Sequence, residues 1–227
     1  MKLLSVIMPV YNEKDTIEEI IKKIEAINLP KEIIIIDDYS SDGTREIIEQ
    51  RINQKNVIKL FHSENRGKGS AIRTGLEKAS GDIIIIQDAD LEYDPEDYYK
   101  LVKPIMEGKV DVVYGSRVLG KGKFSYLRYA LGGKFLSLLT NILYGSHITD
   151  EPTCYKVFKT DVIKSLNLKC KKFEFCPEVT AKVLKKGYEI LELPISYFPR
   201  KIEEGKKINW KDGVEAIWTL VKYRFWD

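Results

Sequence analysis

The 227-residue sequence lacks several features that would place it in familiar classes of protein. Its cysteines, Cys154, Cys170 and Cys176, are odd in number and show no C-x-x-C spacing, which argues against a disulfide framework or a zinc site. We expect them to be reduced and mostly buried thiols of a cytoplasmic protein, because disulfides are rare in that compartment. A net charge of +3 is too small to indicate a nucleic acid as a partner.

Long apolar runs are missing as well. No stretch approaches the roughly 20 apolar residues that cross a bilayer. Residues 3–10 are apolar, but the run is short, contains Pro9 and shows no signal-peptide cleavage site. No G-x-G-x-x-G follows that run, so the dinucleotide-binding fingerprint is absent. These absences predict a cytoplasmic protein without a membrane-spanning helix or a leader.

What the sequence does contain is a run of four isoleucines at 83–86, followed by Asp88 and Asp90. Such a β-branched run is typical of a strand buried on both faces of a parallel sheet. Residues i and i+2 of a strand end point to the same side, at the sheet edge where open α/β proteins bind ligands. The two carboxylates would repel each other unless a cation or a proton lies between them. Mg²⁺ or Mn²⁺ is the natural cation, and a pair of solvated loop acids is the alternative.

Up to Arg117 the apolar pattern alternates regularly between strands and helices. Strands are expected at 3–10, 32–38, 57–61, 83–86 and 110–114, with helices between them, the first capped by Asp15. This order predicts a doubly wound, Rossmann-like and mostly parallel sheet with helices on both faces.

Beyond Arg117 the pattern changes. Residues 126–143 indicate a long helix, 173–186 a further helix bearing Glu178, and 188–198 an edge-like strand. The apolar side of the long helix is expected to comprise Leu131, Phe135, Leu138, Leu139 and Ile142. Residues 210–226 indicate an amphipathic helix that mixes tryptophans with Lys and Arg. That mixture fits a helix at a membrane surface, and equally a core-packing helix with exposed lysines.

Four segments taken together carry a resemblance to a known family. They are V-I-M-P-V-Y-N-E at 6–13, I-D-D-Y-S-S-D-G-T at 36–44, N-R-G-K-G at 65–69 and D-A-D-L-E-Y-D-P at 88–95. In this order they resemble the signatures of family-two glycosyltransferases, which have the GT-A fold. The subgroup that the chain resembles most is the dolichol-phosphate mannose synthase type with its bacterial polyprenyl-phosphate relatives. The resemblance implies a catalytic domain at 1–200, followed by a basic loop and an amphipathic helix at 201–227.

The resemblance also implies a nucleotide-sugar donor, a divalent metal and inversion at the anomeric carbon. The metal, Mg²⁺ or Mn²⁺, would be held by Asp88, Asp90 and Glu92. The nucleotide would lie against the ends of the first strands, with Asp37 or Asp38 accepting hydrogen bonds from base or ribose. The full set expected to bind it is Pro9, Tyr11, Glu13, Asp37, Asp38, Lys68, Asp88 and Ala89. Asp42 is interpreted as a structural turn residue.

The acceptor remains open between two chemistries. A polyprenyl phosphate, dolichyl or undecaprenyl, is largely ionised and needs cations rather than a base. The candidates for that role are Arg117, Arg128, Arg200 and Lys207. A sugar hydroxyl would need a carboxylate base, for which Asp150 is the candidate. The subgroup's T-S-G-[YF]-[RK] segment is altered here, because Cys154 replaces its glycine.

Further alternatives concern the donor, the location and the reaction class. The donor is GDP-mannose or a UDP-hexose, and the protein is cytoplasmic, with possible peripheral contact to the cytoplasmic face of a membrane. A D-x-D phosphohydrolase is a third hypothesis. It is disfavoured because the motif follows the fourth strand rather than the first and continues Leu91-Glu92.

Overall fold

The computed structural model describes residues 2–120, 127–200 and 210–226. The strands of this part are β1 (Leu4–Val10), β2 (Lys31–Asp37), β3 (Val57–Phe61), β4 (Ile83–Ile86), β5 (Val112–Ser116), β6 (Lys156–Lys159) and β7 (Ile190–Pro194). Its helices are α1 (Ile17–Ala26), α2 (Thr44–Arg51), α3 (Lys68–Lys78), α4 (Tyr98–Met106), α5 (Leu127–Tyr144), α6 (Thr160–Ser165), α7 (Phe175–Lys185) and α8 (Trp210–Phe225). A short 3₁₀ helix, Pro95–Asp97, precedes α4. The described strands form a seven-stranded sheet in the order β3-β2-β1-β4-β6-β5-β7.

The first half of the sheet is parallel and apolar, as predicted. β1 pairs with β2 and with β4, and β2 pairs with β3, all in parallel. The four isoleucines of β4 are each at most 1% exposed. Successive side chains of a strand point to opposite faces, so this burial means that both faces of the sheet are covered. The isoleucine run is therefore the central strand of an α/β sheet.

The second half of the sheet contains a strand that the sequence analysis missed. β6 runs antiparallel between β4 and β5, whereas β7 lies at the edge and pairs with β5 in parallel. β6 has only four residues, and it is defined by its two neighbours rather than by a pattern of its own. The sheet is therefore mixed, although mostly parallel.

Two local predictions about helices were wrong. Asp15 does not cap the first helix: α1 begins at Ile17, with Thr16 at the N-cap and no side-chain cap hydrogen bond. The predicted apolar side of α5 is divided between two surfaces. Leu139 packs against the core between α5, α7 and α8, but Leu131, Phe135, Leu138 and Ile142 are 53–72% exposed. The periodic pattern identified the helix but not which apolar residues the fold would cover.

The last helix, α8, packs on α5 and α7. Leu220 and Tyr223 of α8 are buried in a cluster with Ala181 of α7 and the inner leucines of α5. The hydroxyl of Tyr144 donates to the backbone oxygen of Leu220 at 2.6 Å, and that of Tyr223 donates to Glu178 Oε1 at 2.8 Å. Across the ranges that the structure describes, no helix has the length and apolar character to cross a bilayer.

Candidate active site

The acidic residues singled out in the sequence meet at one edge of the sheet. β1, β2 and β4 run parallel, so the segments that follow them emerge on the same side. Glu13 follows β1, Asp38 follows β2, and Asp88 and Asp90 follow β4. Topology thus brings together carboxylates that are far apart along the chain.

Each of the two acids after β4 is paired with a cation from elsewhere in the chain. Lys68 Nζ, at the start of α3, lies 2.6 Å from Asp88 Oδ1. Arg200 donates through Nη2 to Asp90 Oδ2 at 2.9 Å and through Nη1 to Glu13 Oε2 at 3.0 Å. A single guanidinium therefore joins the segment after β1 to the segment after β4.

These cations do not fully compensate the acidic cluster. Burial raises the pKa of Asp90 to about 7, and the charges of Asp88 and Glu92 act in the same direction. Burial also opposes ionisation of Asp88, but the ammonium of Lys68 lowers the pKa of that carboxyl below its usual range. A hard divalent cation with a preference for carboxylate oxygens would supply the missing positive charge. Asp88 and Asp90 therefore fit Mg²⁺ or Mn²⁺.

Glu92, the third predicted metal ligand, has other partners. Its Oε2 accepts a hydrogen bond from the Tyr197 hydroxyl at 3.0 Å, and its Oε1 accepts one from the backbone N–H of Arg200 at 2.8 Å. Within the described part of the chain, no three His, Cys, Asp or Glu side chains are grouped as a metal centre requires. Glu92 thus holds the segment that carries Arg200, and a metal set of Asp88, Asp90 and Glu92 stays a prediction.

The two aspartates at the end of β2 have different surroundings. Asp38 accepts hydrogen bonds from the backbone N–H groups of Arg66 and Gly67 at 2.9 and 2.7 Å, and it lies 2.7 Å from His62 Nδ1. Asp37 has longer contacts, 3.3 and 3.4 Å from the Ser40 nitrogen to its two oxygens. Asp38 therefore holds the N-R-G-K loop, which leaves Asp37 as the better candidate to contact a nucleotide.

The other predicted donor-site residues frame this edge of the sheet. Pro9 lies within β1, Tyr11 is 37% exposed just beyond it, and Ala89 is buried between the two aspartates after β4. Asp42 accepts hydrogen bonds from the N–H groups of Lys14 and Thr44, as expected of a structural turn residue. The residues that frame this edge thus lie on β1, on the loop after it and between Asp88 and Asp90.

A second ion pair lies at the end of β5. Arg117 donates through Nε to Asp150 Oδ2 and through Nη2 to Asp150 Oδ1, both at 2.8 Å, and its backbone N–H also reaches Oδ2. Asp150 is 2% exposed, and the guanidinium lies over the ring of Tyr197 at 5.2 Å. Both carboxylate oxygens of Asp150 are thus occupied by Arg117.

The loop that carries Asp150 is itself anchored by residues that the sequence analysis did not single out. Glu192 on β7 accepts hydrogen bonds from the backbone N–H groups of Thr149 and Asp150 at 2.6 and 3.0 Å. Tyr197 links Arg117 to Glu92, as described above. No local motif marks either residue, because their partners are distant in sequence.

Cys154, which replaces the glycine of the T-S-G-[YF]-[RK] segment, is buried next to Lys68. Cys154 is 4% exposed, its Sγ is 3.9 Å from Lys68 Nζ, and its backbone N–H donates to the Tyr93 hydroxyl. It therefore supports Lys68. Two predicted acceptor cations cannot be placed: Lys207 lies outside the described residues, and Arg128 belongs to α5 but its side chain is not described.

A cavity of about 680 Å³ opens beside the Arg200 ion pairs. It is lined by Glu13, Asp90 and Arg200, by the apolar Leu91 and Phe198, and by residues of the loop after β1. Its volume is within the range of small-molecule sites. Space for a ligand therefore adjoins the carboxylates and their shared guanidinium.

Comparison with known proteins agrees with this geometry. Residues 5–166 match the family described as glycosyl transferase family 2. The chain is 30% identical over 240 residues to the UDP-N-acetylglucosamine–dolichyl-phosphate N-acetylglucosaminyltransferase of Methanococcus voltae, covering 97% of this chain and 95% of that protein. It is 28% identical over 230 residues to the dolichol-phosphate mannosyltransferase of Pyrococcus furiosus, covering 99% of this chain and 64% of that protein.

Solved structures agree on the fold. Glucosyl-3-phosphoglycerate synthase from Mycobacterium tuberculosis, in complex with Mn²⁺, UDP and phosphoglyceric acid, superimposes with a TM-score of 0.76 at 19% identity. The match covers 99% of this chain and 79% of that one. The same enzyme with Mg²⁺ and UDP gives a TM-score of 0.75. Together with the match over residues 5–166, this shows that the chain belongs to glycosyl transferase family 2 and is a glycosyltransferase with the GT-A fold.

Proposed function

We propose that this glycosyltransferase moves a sugar from a nucleotide diphosphate to a polyprenyl phosphate, with a divalent metal held by Asp88 and Asp90. The names of two relatives, which state dolichyl-phosphate or dolichol-phosphate transfer, support the acceptor. The observation that carries the choice of acceptor is the Arg117–Asp150 pair. A hydroxyl acceptor would need a carboxylate base, yet both oxygens of Asp150 already receive N–H groups of Arg117.

A phosphate acceptor does not need such a base. The second pKa of a phosphate monoester is about 6, so the attacking oxygen is largely ionised at neutral pH. It needs positive charge, because a second anion must approach a diphosphate. Arg117 supplies that charge in a geometry fixed by Asp150, and arginine matches phosphate oxygens with its planar set of donors.

On the donor side, the carboxylates of Asp88 and Asp90 can exchange their present cations for a metal ion. When bound, the divalent ion supplies positive charge to the leaving diphosphate. Lys68 and Arg200, which pair with Asp88 and Asp90 in this structure, would then be available to contact the phosphate oxygens. Asp37 accepts a hydrogen bond from the base or the ribose. Inversion follows from direct attack of the acceptor oxygen on the face of the anomeric carbon opposite the diphosphate.

The test is a transfer assay with radiolabelled UDP-N-acetylglucosamine, UDP-glucose and GDP-mannose. Each donor is combined with dolichyl phosphate, undecaprenyl phosphate or the matched alcohol dolichol, with Mg²⁺, with Mn²⁺ or with excess chelator. We expect transfer to a polyprenyl phosphate with at least one donor, none to dolichol, and loss of transfer with chelator.

A soluble acceptor tests the alternative that the sugar is transferred to a hydroxyl group. Phosphoglyceric acid tests the reaction named for the similar mycobacterial enzyme. Transfer to that acceptor, with none to either polyprenyl phosphate, would contradict the proposal and favour a hydroxyl acceptor.

A further inference from the structure

Two neighbouring helices keep large apolar side chains exposed to solvent. Eight such residues on α5 and α8, together with Trp226 directly after α8, are 53–75% exposed. We call them the apolar surface: Leu131, Phe135, Leu138 and Ile142 of α5, and Trp210, Val214, Trp218, Phe225 and the adjoining Trp226 of α8. Exposed apolar residues that cluster mark interaction sites more often than single scattered ones do.

The exposed residues form regular stripes. At 3.6 residues per turn, the four of α5 fall within about 60° of the helix circumference and the first four of α8 within about 80°. The remaining faces of both helices are used by the fold. On α5, Leu136, Leu139 and Leu143 pack toward α8, whose buried face carries Leu220 and Tyr223. The apolar surface is therefore a separate face of each helix and not the edge of the core.

The composition of the α8 stripe fits a membrane surface better than a protein partner. The exposed Lys211 and Lys222 lie beside its tryptophans, and the rings of Trp218 and Trp226 are 6.0 Å apart. Tryptophan prefers the boundary between headgroups and acyl chains, and lysine is attracted to anionic headgroups. The stripe thus combines the two residue types that hold a helix in the plane of a bilayer.

Other residues of α5 hold the loop that carries Asp150. The Ser137 hydroxyl donates to the backbone oxygen of Thr149 at 3.1 Å and accepts from the N–H of Glu151 at 2.9 Å. Asn141 Nδ2 donates to the backbone oxygen of Ile148 at 2.9 Å. One helix therefore holds the loop that carries Asp150 and also presents apolar side chains outward.

We infer that the apolar surface docks this protein on an anionic lipid bilayer, with α5 and α8 lying in the interface. The choice of a bilayer as the occupant rests on the proposed function, because a polyprenyl phosphate keeps its chain in the membrane and its phosphate at the surface. Docking through α5 brings the loop held by that helix, and with it Arg117, to the level of the headgroups. The acceptor then reaches the site without leaving the membrane.

The experiment is co-sedimentation of the full chain with vesicles of phosphatidylcholine alone or with 30% phosphatidylglycerol. The variants are Leu138→Ser on α5, Trp218→Ser on α8 and the two combined. Each removes one large apolar side chain from the interface, so we expect each to weaken vesicle binding about tenfold and the pair to weaken it further. Tyr99→Ser is the matched control, because Tyr99 is also an exposed aromatic residue but lies on α4, outside the apolar surface. Its binding should be unchanged.

The lysines give a second and independent readout. Lys211→Gln and Lys222→Gln should each weaken binding to the anionic vesicles about fivefold and leave binding to phosphatidylcholine vesicles unchanged. The loss should disappear in 0.5 M salt, because surface charges are then screened. Thermal unfolding of every variant checks that the fold is kept.

The same variants separate this inference from the proposed function. Leu138→Ser and Trp218→Ser should retain transfer to a short, water-soluble polyprenyl phosphate and lose transfer to a long-chain acceptor in vesicles. Failure of transfer to every polyprenyl phosphate would refute the proposed function while leaving vesicle binding as the measure of docking. Wild-type protein that does not bind vesicles, or variants that bind as wild type does, would overturn the docking. A dimer in light scattering that both variants dissociate, without vesicle binding, would assign the surface to a second copy of the chain.

Discussion

A carboxylate after β4, Asp90, and an arginine after β5, Arg117, each pair with an opposite charge from a distant segment, but the two pairs are built differently. Arg200 donates to Asp90 through Nη2 and to Glu13 through both Nη1 and Nη2, so the two carboxylates share one guanidinium. The pKa of Asp90 is raised to about 7 by burial and by neighbouring acids. Asp150 binds Arg117 through two parallel hydrogen bonds and is 2% exposed. The negative charge at Asp90 is thus only partly balanced by its arginine, whereas Asp150 and Arg117 balance each other in a buried, bidentate ion pair.

The difference indicates which charges are exchanged and which are fixed. A shared, undercompensated carboxylate can release its arginine when a stronger cation arrives. A bidentate buried pair is expensive to open, because each separated partner would be left as a buried charge. We therefore expect Asp90 to act by binding and Asp150 to act by positioning Arg117.

The largest effect should come from breaking the Asp90–Arg200 ion pair. Asp90→Asn keeps the size of the side chain and removes the charge that a divalent ion requires. We expect transfer to fall roughly 100- to 1000-fold, because charge stabilisation of the leaving group is lost. Binding of Mn²⁺ to the enzyme, followed by electron paramagnetic resonance, should weaken in parallel.

Asp94→Asn is the matched control for that experiment. Asp94 lies in the same segment, but its carboxylate caps the 3₁₀ helix by accepting from the N–H of Glu96. Asparagine caps a helix about as well as aspartate, so this change should leave stability nearly unchanged and should not alter Mn²⁺ binding. An Asp90→Asn enzyme with full activity would remove this residue from the metal site.

Variants of Asp150 and Arg117 should have similar, non-additive effects on transfer. Asp150→Asn and Arg117→Lys are each expected to lower transfer about 100-fold, mainly by raising the KM for the acceptor, because a misplaced contact can cost that much. The double variant should be little worse than either single one, since both disturb the same geometry.

The pH profile distinguishes positioning from base catalysis at Asp150. If Asp150 only holds Arg117, the Asp150→Asn enzyme should keep the acidic limb of the wild-type pH–rate profile. Loss of that limb, together with a nearly normal Arg117→Lys enzyme, would show that Asp150 is a base and that the acceptor is a hydroxyl.

Asp37 and Asp38, at the end of β2, should likewise differ in their roles, one in binding and the other in stability. Asp37→Asn is expected to weaken nucleotide binding by tens of times in calorimetry, because a hydrogen bond to a charged group contributes about 1.5–3 kcal/mol. Asp38→Asn should instead lower the free energy of unfolding by about 2 kcal/mol, since it disturbs the bonds to the N-R-G-K loop. Equal effects of both variants on affinity and on stability would contradict this division.

The smallest effect is expected on Mn²⁺ binding when Arg200, the partner of Asp90, is replaced. Arg200→Gln removes a positive charge next to Asp90, so Mn²⁺ should bind about fivefold more tightly in the absence of nucleotide. Arg73→Gln is the control, because Arg73 lies on α3 and donates to the backbone oxygen of Lys169. Unchanged or weaker Mn²⁺ binding in Arg200→Gln would show that Arg200 does not compete with the metal.

Much of the donor site could be predicted from local sequence. The isoleucine runs predicted β2 and β4, and the aspartates that follow them were expected at one sheet edge because parallel strands end together. The partners of these acids could not be predicted. Lys68 and Arg200 reach Asp88 and Asp90 from segments 20 and 110 residues away, and no periodic pattern encodes a contact at such a separation.

The sequence by itself determined the elements and the chemistry available at their ends, because periodicity and strand-end motifs act over a few residues. It determined β4 and its two acids, the helical character of α5 and α8, and the family. Only the tertiary structure decided the antiparallel insertion of β6, the closure of Arg117 on Asp150, and the exposure of one stripe of α5 while another is buried. Each of these depends on which distant surfaces meet, since burial and ion pairing are decided by the neighbours that the fold supplies.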